Sequence, residues 1–448
     1  MSLLTTAQGA RLLADAKLTP STVIGLQNRL NVFLQQYLPW FYRKEQRRNA
    51  TLVVRGLISG LERKTCEPIA REAGVTRKPI QFFVGCGKWD DEAVMAELRR
   101  HVCQELSDPN AVLVVDGSGF PKKGKDSCGV ARQWCGHLGK VENCQVGIFL
   151  CYAAPGGHGP LDRRLYLPKE WAEDKQRRTQ CHVPGGVKYQ EPWRIALRMI
   201  KAHRRQFPHA WVAGDDEFGR ICQFRKRLRA CKERYVLDVP ARTLIREVQP
   251  SRSWNPDPDN KAHRPGRKKK PPFVRAEAWA AQQPASAWRR LEVRAGEKGP
   301  LVVEAISTLV WTMDAGRVGS QERLLVIRTV EKTPRLIYSL SNASRQVPLK
   351  DLVQGRTERY RVEQLFEEGK GSAGLDQYEV RSWVGWHHHV TLSLLATWFL
   401  ALQCRRTAKK KYPRTNRIAD SGNLSAAAEE SSAVTPADRA GDQRRACA

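Results

Sequence analysis

No two cysteines in this chain stand in a C-x-x-C arrangement, although the sequence holds 12 of them. Scattered single cysteines offer neither a zinc site nor a disulfide framework, so they read as reduced thiols of a cytoplasmic, nucleoid-associated protein. Long apolar runs are missing as well. The most apolar helical stretch, residues 389–403, is too short to span a bilayer and opens on the last of three histidines, which makes it a buried core helix. The first residues, Met1-Ser-Leu-Leu-Thr-Thr-Ala-Gln, lack a basic region followed by an apolar one, so no secretory signal is expected. No internal repeat is visible. Acidic residues are scarce against basic ones, 46 Asp and Glu facing 76 Lys and Arg, which leaves a net charge of +30. Such an excess concentrates phosphate backbones near the surface and makes binding salt-dependent. Nucleic acid is therefore the expected partner, ahead of a ribosome-associated role or a merely soluble basic surface.

What is present suffices for a sizeable core: 448 residues, 41% hydrophobic, with room for two or three domains. Over residues 23–106 apolar positions recur at near-helical spacing, as in Phe33-Leu34, Leu38, Phe41, Leu52-Val53-Val54 and Leu57-Ile58, and Pro is sparse. Within it, residues 67–83 have helix-turn-helix character: a short helix ends at Gly74, Thr76 caps the next, and the second begins Arg77-Lys78. An ordinary helical hairpin explains the same pattern. Residues 111–241 alternate strands with connecting segments, the strands at 111–116, 143–153, 210–214 and 233–239 and helices at 192–203 and 218–231, as suits a mixed α/β sheet. From 242 to about 298 the composition turns basic and rich in Pro, the mark of a flexible insertion. Strand-like runs resume at 301–305, 324–330 and 336–340, and helices follow from about 356. The resulting division is a helical domain for DNA binding or dimerisation at 1–108, a core at 109–241 and 346–406, a basic, β-rich insertion at 242–345, and a polar, disordered tail at 407–448.

Chemistry is signalled first by Ala111-Val-Leu-Val-Val-Asp116, a short apolar β-run that delivers a single carboxylate. The following Gly-Ser-Gly-Phe-Pro-Lys-Lys-Gly is too rich in Gly and Pro to continue the strand. An Asp where a buried strand opens into a loop is how many folds present a metal ligand. Ala210-Trp-Val-Ala-Gly214 running into Asp215 repeats the device. A third carboxylate lies in residues 356–370, where Val362, Leu365 and Phe366 form an apolar stripe at helical spacing. At about 100° per residue, Arg359, Glu363 and Lys370 share the adjoining face of one helix, placed to meet a cation and a phosphate.

Together these residues resemble a DDE-type insertion-sequence transposase with a ribonuclease-H-like core. The resemblance spans about residues 25–405 and is carried by four stretches. They are Val115-Asp116-Gly-Ser-Gly-Phe-Pro-Lys-Lys-Gly124, Gly129 through Lys140, Gly214-Asp215 through Phe218-Gly219, and Arg359 through Trp386. In the last, Arg359, Glu363 and Lys370 meet an Arg-x3-Glu-x6-Lys pattern similar to the family's Y-R-E-K signature, and Gly374-Leu-Asp-Gln-Tyr-Glu-Val-Arg-Ser-Trp383 is similar as well. The signature's Tyr is Arg356 here, which leaves the Tyr role unassigned.

The resemblance implies a ribonuclease-H-like mixed sheet with flanking helices, interrupted by a β-rich insertion and preceded by an all-α N-terminal domain. It implies Asp116, Asp215 and Glu363 as catalytic ligands of two Mg²⁺ ions, with Mn²⁺ able to substitute. Two hard cations about 3.5–4 Å apart would activate the attacking oxygen and steady the leaving one. Arg359 and Lys370 would bind phosphate near the scissile bond, and Lys122 and Lys123 are candidate DNA contacts. The implied partners are DNA, both element ends and target, and a second copy of the chain in a synaptic homodimer. Alternatives stay open at several positions. Asp216 or Glu217 could stand for Asp215, Asp126 for Asp116, and Glu367 for Glu363, while Lys122, Lys123 and Lys125 could be merely solvated. His387, His388 and His389 point in different directions on a helix and make a poor metal site.

Overall fold

In the computed structural model of the chain the described residues are 20–136, 138–248, 272–296, 299–331 and 333–408. Two sequence expectations lie largely outside them: the polar tail, from residue 409 onward, and the basic stretch 249–271. The protein is mixed α/β and divides into two compact units. The first comprises Met1–Ser107, Asp116–Ile195 and Arg361–Ala448, the second Asp108–Val115 and Ala196–Tyr360.

In the first unit, residues 20–106 contribute the helices Pro20–Gln35, Lys44–Ile58, Cys66–Glu72, Arg77–Gly85 and Asp91–Leu106. Two short helices joined by a turn, Cys66–Glu72 and Arg77–Gly85, occupy this stretch, an arrangement common to a helix-turn-helix and a helical hairpin. Gly74 takes φ +62° in the turn, and Thr76 stands at the cap position of the second helix but, against expectation, its side chain does not cap it. That helix buries Ile80, Phe83 and Val84 and exposes Phe82 with Arg77, Lys78 and Gln81. Strands β2 (Ala131–Cys135), β3 (Lys140–Ala154) and β4 (Gly157–Leu165) follow, β3 pairing antiparallel with both neighbours. The helix Trp383–Ala408 forms the core of this unit, burying Val390, Leu392, Leu395, Trp398 and Phe399. Against it β4 carries Gly159, where an added Cβ would meet both Val102 and Trp398. A side chain there would have to push back two helical neighbours, so glycine lets the strand and helices approach closely. None of the described helices is long and apolar enough to cross a membrane.

Strand β1 (Val112–Pro121) runs through the boundary of the two units. Its first residues belong to the second unit and pair in parallel with β5 (Trp211–Gly214), which pairs in parallel with β6 (Tyr235–Asp238). Residues 112–115 and all of β5 are buried, the continuous apolar run expected of parallel strands covered on both faces. An antiparallel array completes the unit: β7 (Leu244–Glu247), β8 (Val274–Arg275), β9 (Arg289–Gly296), β10 (Gly299–Asp314), β11 (Arg317–Thr329) and β12 (Leu336–Ser341). Ala315 and Gly316, at φ 47° and 77°, make the two-residue turn between Asp314 and Arg317. Positive φ at both positions matches the twist of the strands they join. One face of the array buries Ile306, Val310, Leu324, Val326, Tyr338 and Leu340 against Trp279 and Ala280.

The structure departs from two sequence expectations. Strand β1 does not stop at Asp116 but continues through Gly117-Ser-Gly-Phe-Pro121. Neither glycine makes a turn, since neither has positive φ, and Gly119 serves close packing, because a Cβ there would press on Cys135 Sγ. Phe120 is buried beyond it, so the strand has a side chain to anchor. The second departure concerns residues 356–370, which do not form one helix. Helix Leu349–Thr357 ends, Glu358 and Arg359 form a turn, and helix Tyr360–Ser372 begins. Strands β10 and β11 are also longer than the runs 301–305 and 324–330 that the sequence predicts.

Gly219 makes the tightest approach in the second unit, since a Cβ there would collide with the Asp238 carbonyl. Gly219→Ala is expected to destabilise the protein by about 1–3 kcal/mol, the range for an atom forced into a packed site, read from the urea midpoint.

Candidate active site

Pairing of β1 with β5 ends at Val115↔Gly214, and the residues that follow are Asp116 and Asp215. The pairing of β5 with β6 ends at Gly214↔Leu237, and the next residue is Asp238. Three neighbouring parallel strands thus each deliver an aspartate one residue beyond a common level. Asp116 is half-buried and accepts the Gly117 N–H on Oδ1 at 2.8 Å. Asp215 caps the short helix Asp216–Gly219, its Oδ1 accepting the Glu217 N–H at 3.0 Å. Its carboxyl is pushed above the usual range, first by burial and further by Asp216, while Arg359 works in the opposite direction.

Asp238 is the residue that sequence reasoning missed. Arg356 holds it bidentately, Nε to Oδ1 at 3.1 Å and Nη2 to Oδ2 at 2.7 Å. Ser339 Oγ donates to Oδ1 at 2.7 Å, and Arg359 Nε stands 3.5 Å from Oδ2. Arg356, in the last turn of one helix, and Arg359, in the break that follows it, both face this one carboxylate. Arg356, which stands where the resembled signature has Tyr, therefore works as a salt-bridge partner. The signal was present in Tyr235-Val-Leu-Asp238, a third apolar run ending in Asp.

In the first unit the helix Tyr360–Ser372 buries Val362 and Leu365 and exposes Glu363 and Glu367. Glu368 faces the other way, buried, with His158 Nε2 at 3.1 Å from its Oε2. Lys370 Nζ donates to the Gly119 carbonyl at 3.4 Å and lies 5.4 Å from the centre of the Phe120 ring. These contacts fasten the glutamate helix to β1 three residues beyond Asp116. Burial lowers the Lys370 ammonium, with Asp376 opposing.

Lys122 is turned inward, 3.3 Å above the Tyr378 ring and donating to the Tyr378 carbonyl at 3.1 Å. Burial brings it down to about 8, against Asp376 and Glu379, so its charge is present below that pH and fades above it. Lys123 is exposed, as are Lys125 and Asp126, the latter paired with Arg381 at 3.3 Å. His387, His388 and His389 are buried, and each meets a different carbonyl, those of Trp383, Trp89 and Gly374. Burial pushes the His387 and His389 imidazoles down to about 4.

Among the described residues, no three His, Cys, Asp or Glu side chains are grouped as a metal cluster. The chemistry of the donors nevertheless fits a hard divalent cation. The candidate ligands are all carboxylate oxygens, and Asp215 has its charged form penalised by burial and by Asp216. A bound cation would relieve both penalties.

Carboxylate oxygens thus follow buried parallel strands, with the Arg356 and Arg359 guanidinium groups beside Asp238. The chain belongs to the DDE superfamily endonucleases, whose family model matches residues 35–300. It is also 30% identical over 147 residues to a probable transposase for insertion sequence element IS701 from Microchaete diplosiphon, a match covering 33% of this chain and 36% of that relative. Among solved structures it is similar to a piggyBac transposase in a synaptic complex with hairpin DNA. There the TM-score is 0.41 and the identity 11%, over 91% of this chain and 80% of that one.

Proposed function

We propose that this protein is the transposase of a bacterial insertion sequence. It would bind the terminal inverted repeats of its element, cleave DNA there with Mg²⁺, and join the freed ends to target DNA. The observation that carries the reading is the shared strand register, with Asp116 and Asp215 both one residue beyond the Val115↔Gly214 pair. Asp116, Asp215 and Glu363 would hold the cations, and bound Mg²⁺ or Mn²⁺ would supply Lewis acidity to the attacking and leaving oxygens of one phosphodiester. Arg359 and Lys370 bind the phosphate at the scissile bond, and the exposed Lys123 contacts the backbone beside it, a role the inward-turned Lys122 takes only by leaving Tyr378. Asp238 holds Arg359 in position through the ion pair it shares with Arg356. A homodimer would keep two ends together.

A strand-transfer assay on DNA carrying the element ends tests this directly. Mg²⁺-dependent joining to a second duplex is the expected result; cleavage without joining would leave only a nuclease. Binding should also weaken with salt, log affinity falling linearly with log salt at a slope of about −0.9 per phosphate contact. A flat response would contradict the role given to the +30 charge.

A further inference from the structure

In the second unit a cleft of about 790 Å³ opens between β10 and the segment leading into helix Leu349–Thr357. Arg323, on β11, lines it although only 7% exposed. Its guanidinium meets neutral acceptors alone. Nε and Nη2 donate to Ser307 Oγ at 3.1 and 2.9 Å, and Nη1 to the carbonyls of Ser344 and Val347 at 3.1 and 2.7 Å. Four of its five N–H donors are so used, and the fifth, on Nη2, remains for another acceptor. Two other buried guanidinium groups have carboxylates: Arg225 has Glu322 and Arg163 has Asp91. Among the described residues Arg323 has none in ion-pair reach, and burial alone, with no acidic neighbour opposing it, lowers its pKa.

A buried cation without a counter-anion is costly, and the field it creates attracts one. Two further arginines, Arg289 and Arg345, line the same cleft against one acid, Glu247, which is occupied by Thr308 Oγ1 at 2.7 Å. Helix Leu349–Thr357 starts at the cleft with Pro348 at its cap position and no side chain capping its first N–H groups. Its positive end adds to the same field, with Asp351 in the first turn as the opposing charge.

We propose that this cleft is a phosphate-binding site built around Arg323, Arg289 and Arg345, sharing no lining residue with the candidate catalytic carboxylates, and that it grips a backbone phosphate of the bound DNA. The inference rests on the DNA reading above and assigns part of that binding to the β-rich array. Arg323 fixes the depth of the site, and the exposed Arg289 and Arg345 close on the phosphate from its rim.

The test uses the full chain, wild type and R289Q/R345Q, both changes lying on exposed side chains that leave the Arg323 network intact. Affinity for end-containing duplex is measured across a salt series. In a second arm, inorganic phosphate or a mononucleotide is titrated while thermal unfolding is followed. The variant should bind DNA more weakly, its salt slope shallower by about 0.9 for each phosphate it no longer neutralises, one or two in all. Arg323→Lys, which keeps charge but loses the fork, should reproduce part of this weakening; it also loses bonds to Ser307, Ser344 and Val347, so its binding is compared at a temperature well below its own unfolding midpoint. An unchanged DNA slope with phosphate-induced stabilisation seen only in the wild type would keep the phosphate site but give it a free phosphate or nucleotide as ligand. An unchanged slope with no phosphate effect in either protein overturns the proposal. A flat salt response in the wild type would instead sink the DNA reading itself, so the two failures are distinguishable.

Discussion

Asp116→Asn and Asp215→Asn are each expected to lower Mg²⁺-dependent cleavage by at least about 10³-fold, the scale of loss when one member of a catalytic set acting as a unit is removed. Affinity for end DNA should stay close to that of the wild type, because the substitution removes a cation ligand and no phosphate contact. Stability offers a second readout at Asp215. Burial and Asp216 both raise its carboxyl above the ordinary range, so in the neutral range the folded protein carries a charge it would rather not hold. Asn at that position can still cap Asp216–Gly219, and the melting temperature of Asp215→Asn should not fall. Appreciable cleavage by either variant would remove that residue from the metal site.

Among the three glutamates of helix Tyr360–Ser372, Glu363→Gln should reduce cleavage by orders of magnitude while Glu367→Gln costs far less. Both are exposed on the same side of the helix, one turn apart, so only the loss of function can separate them. Glu368→Gln should behave differently from either. Its carboxylate is buried against His158, so its loss is expected to destabilise the protein by about 1–3 kcal/mol, with the cleavage rate per folded molecule retained. Circular-dichroism melts beside single-turnover cleavage separate the two kinds of loss. If Glu367→Gln is the inactive variant, the third ligand lies one helical turn from Glu363.

The contrast between Asp215 and Asp238 shows how far the sequence can be read. Both follow short apolar strands, and the strands themselves are legible because buried parallel strands leave continuous apolar runs. Which aspartate is neutralised is not legible. That depends on Arg356 and Arg359, more than a hundred residues away, and on a turn at Glu358–Arg359. Helical periodicity cannot see this turn, because the residues around it keep helical spacing. The true length of strand β1 is hidden for a related reason. Gly117 and Gly119 read as turn formers, yet the nearness of Cys135 is what requires the latter. Local sequence does not distinguish a glycine that bends the chain from one that lets another strand approach.

The first unit is assembled from segments far apart in the sequence, and this bears on how the protein is made. Gly159 on β4 packs beneath Val102 and Trp398, and Trp398 belongs to the helix Trp383–Ala408. As the polypeptide leaves the ribosome from its N-terminus, β2, β3 and β4 emerge long before the helix that covers them. In the interval most of the second unit is synthesised, so closing the core must join segments more than two hundred residues apart, a slow step by its loop entropy. Until Trp383–Ala408 has been translated, β4 presents a bare apolar surface and the glutamate helix has no settled bed.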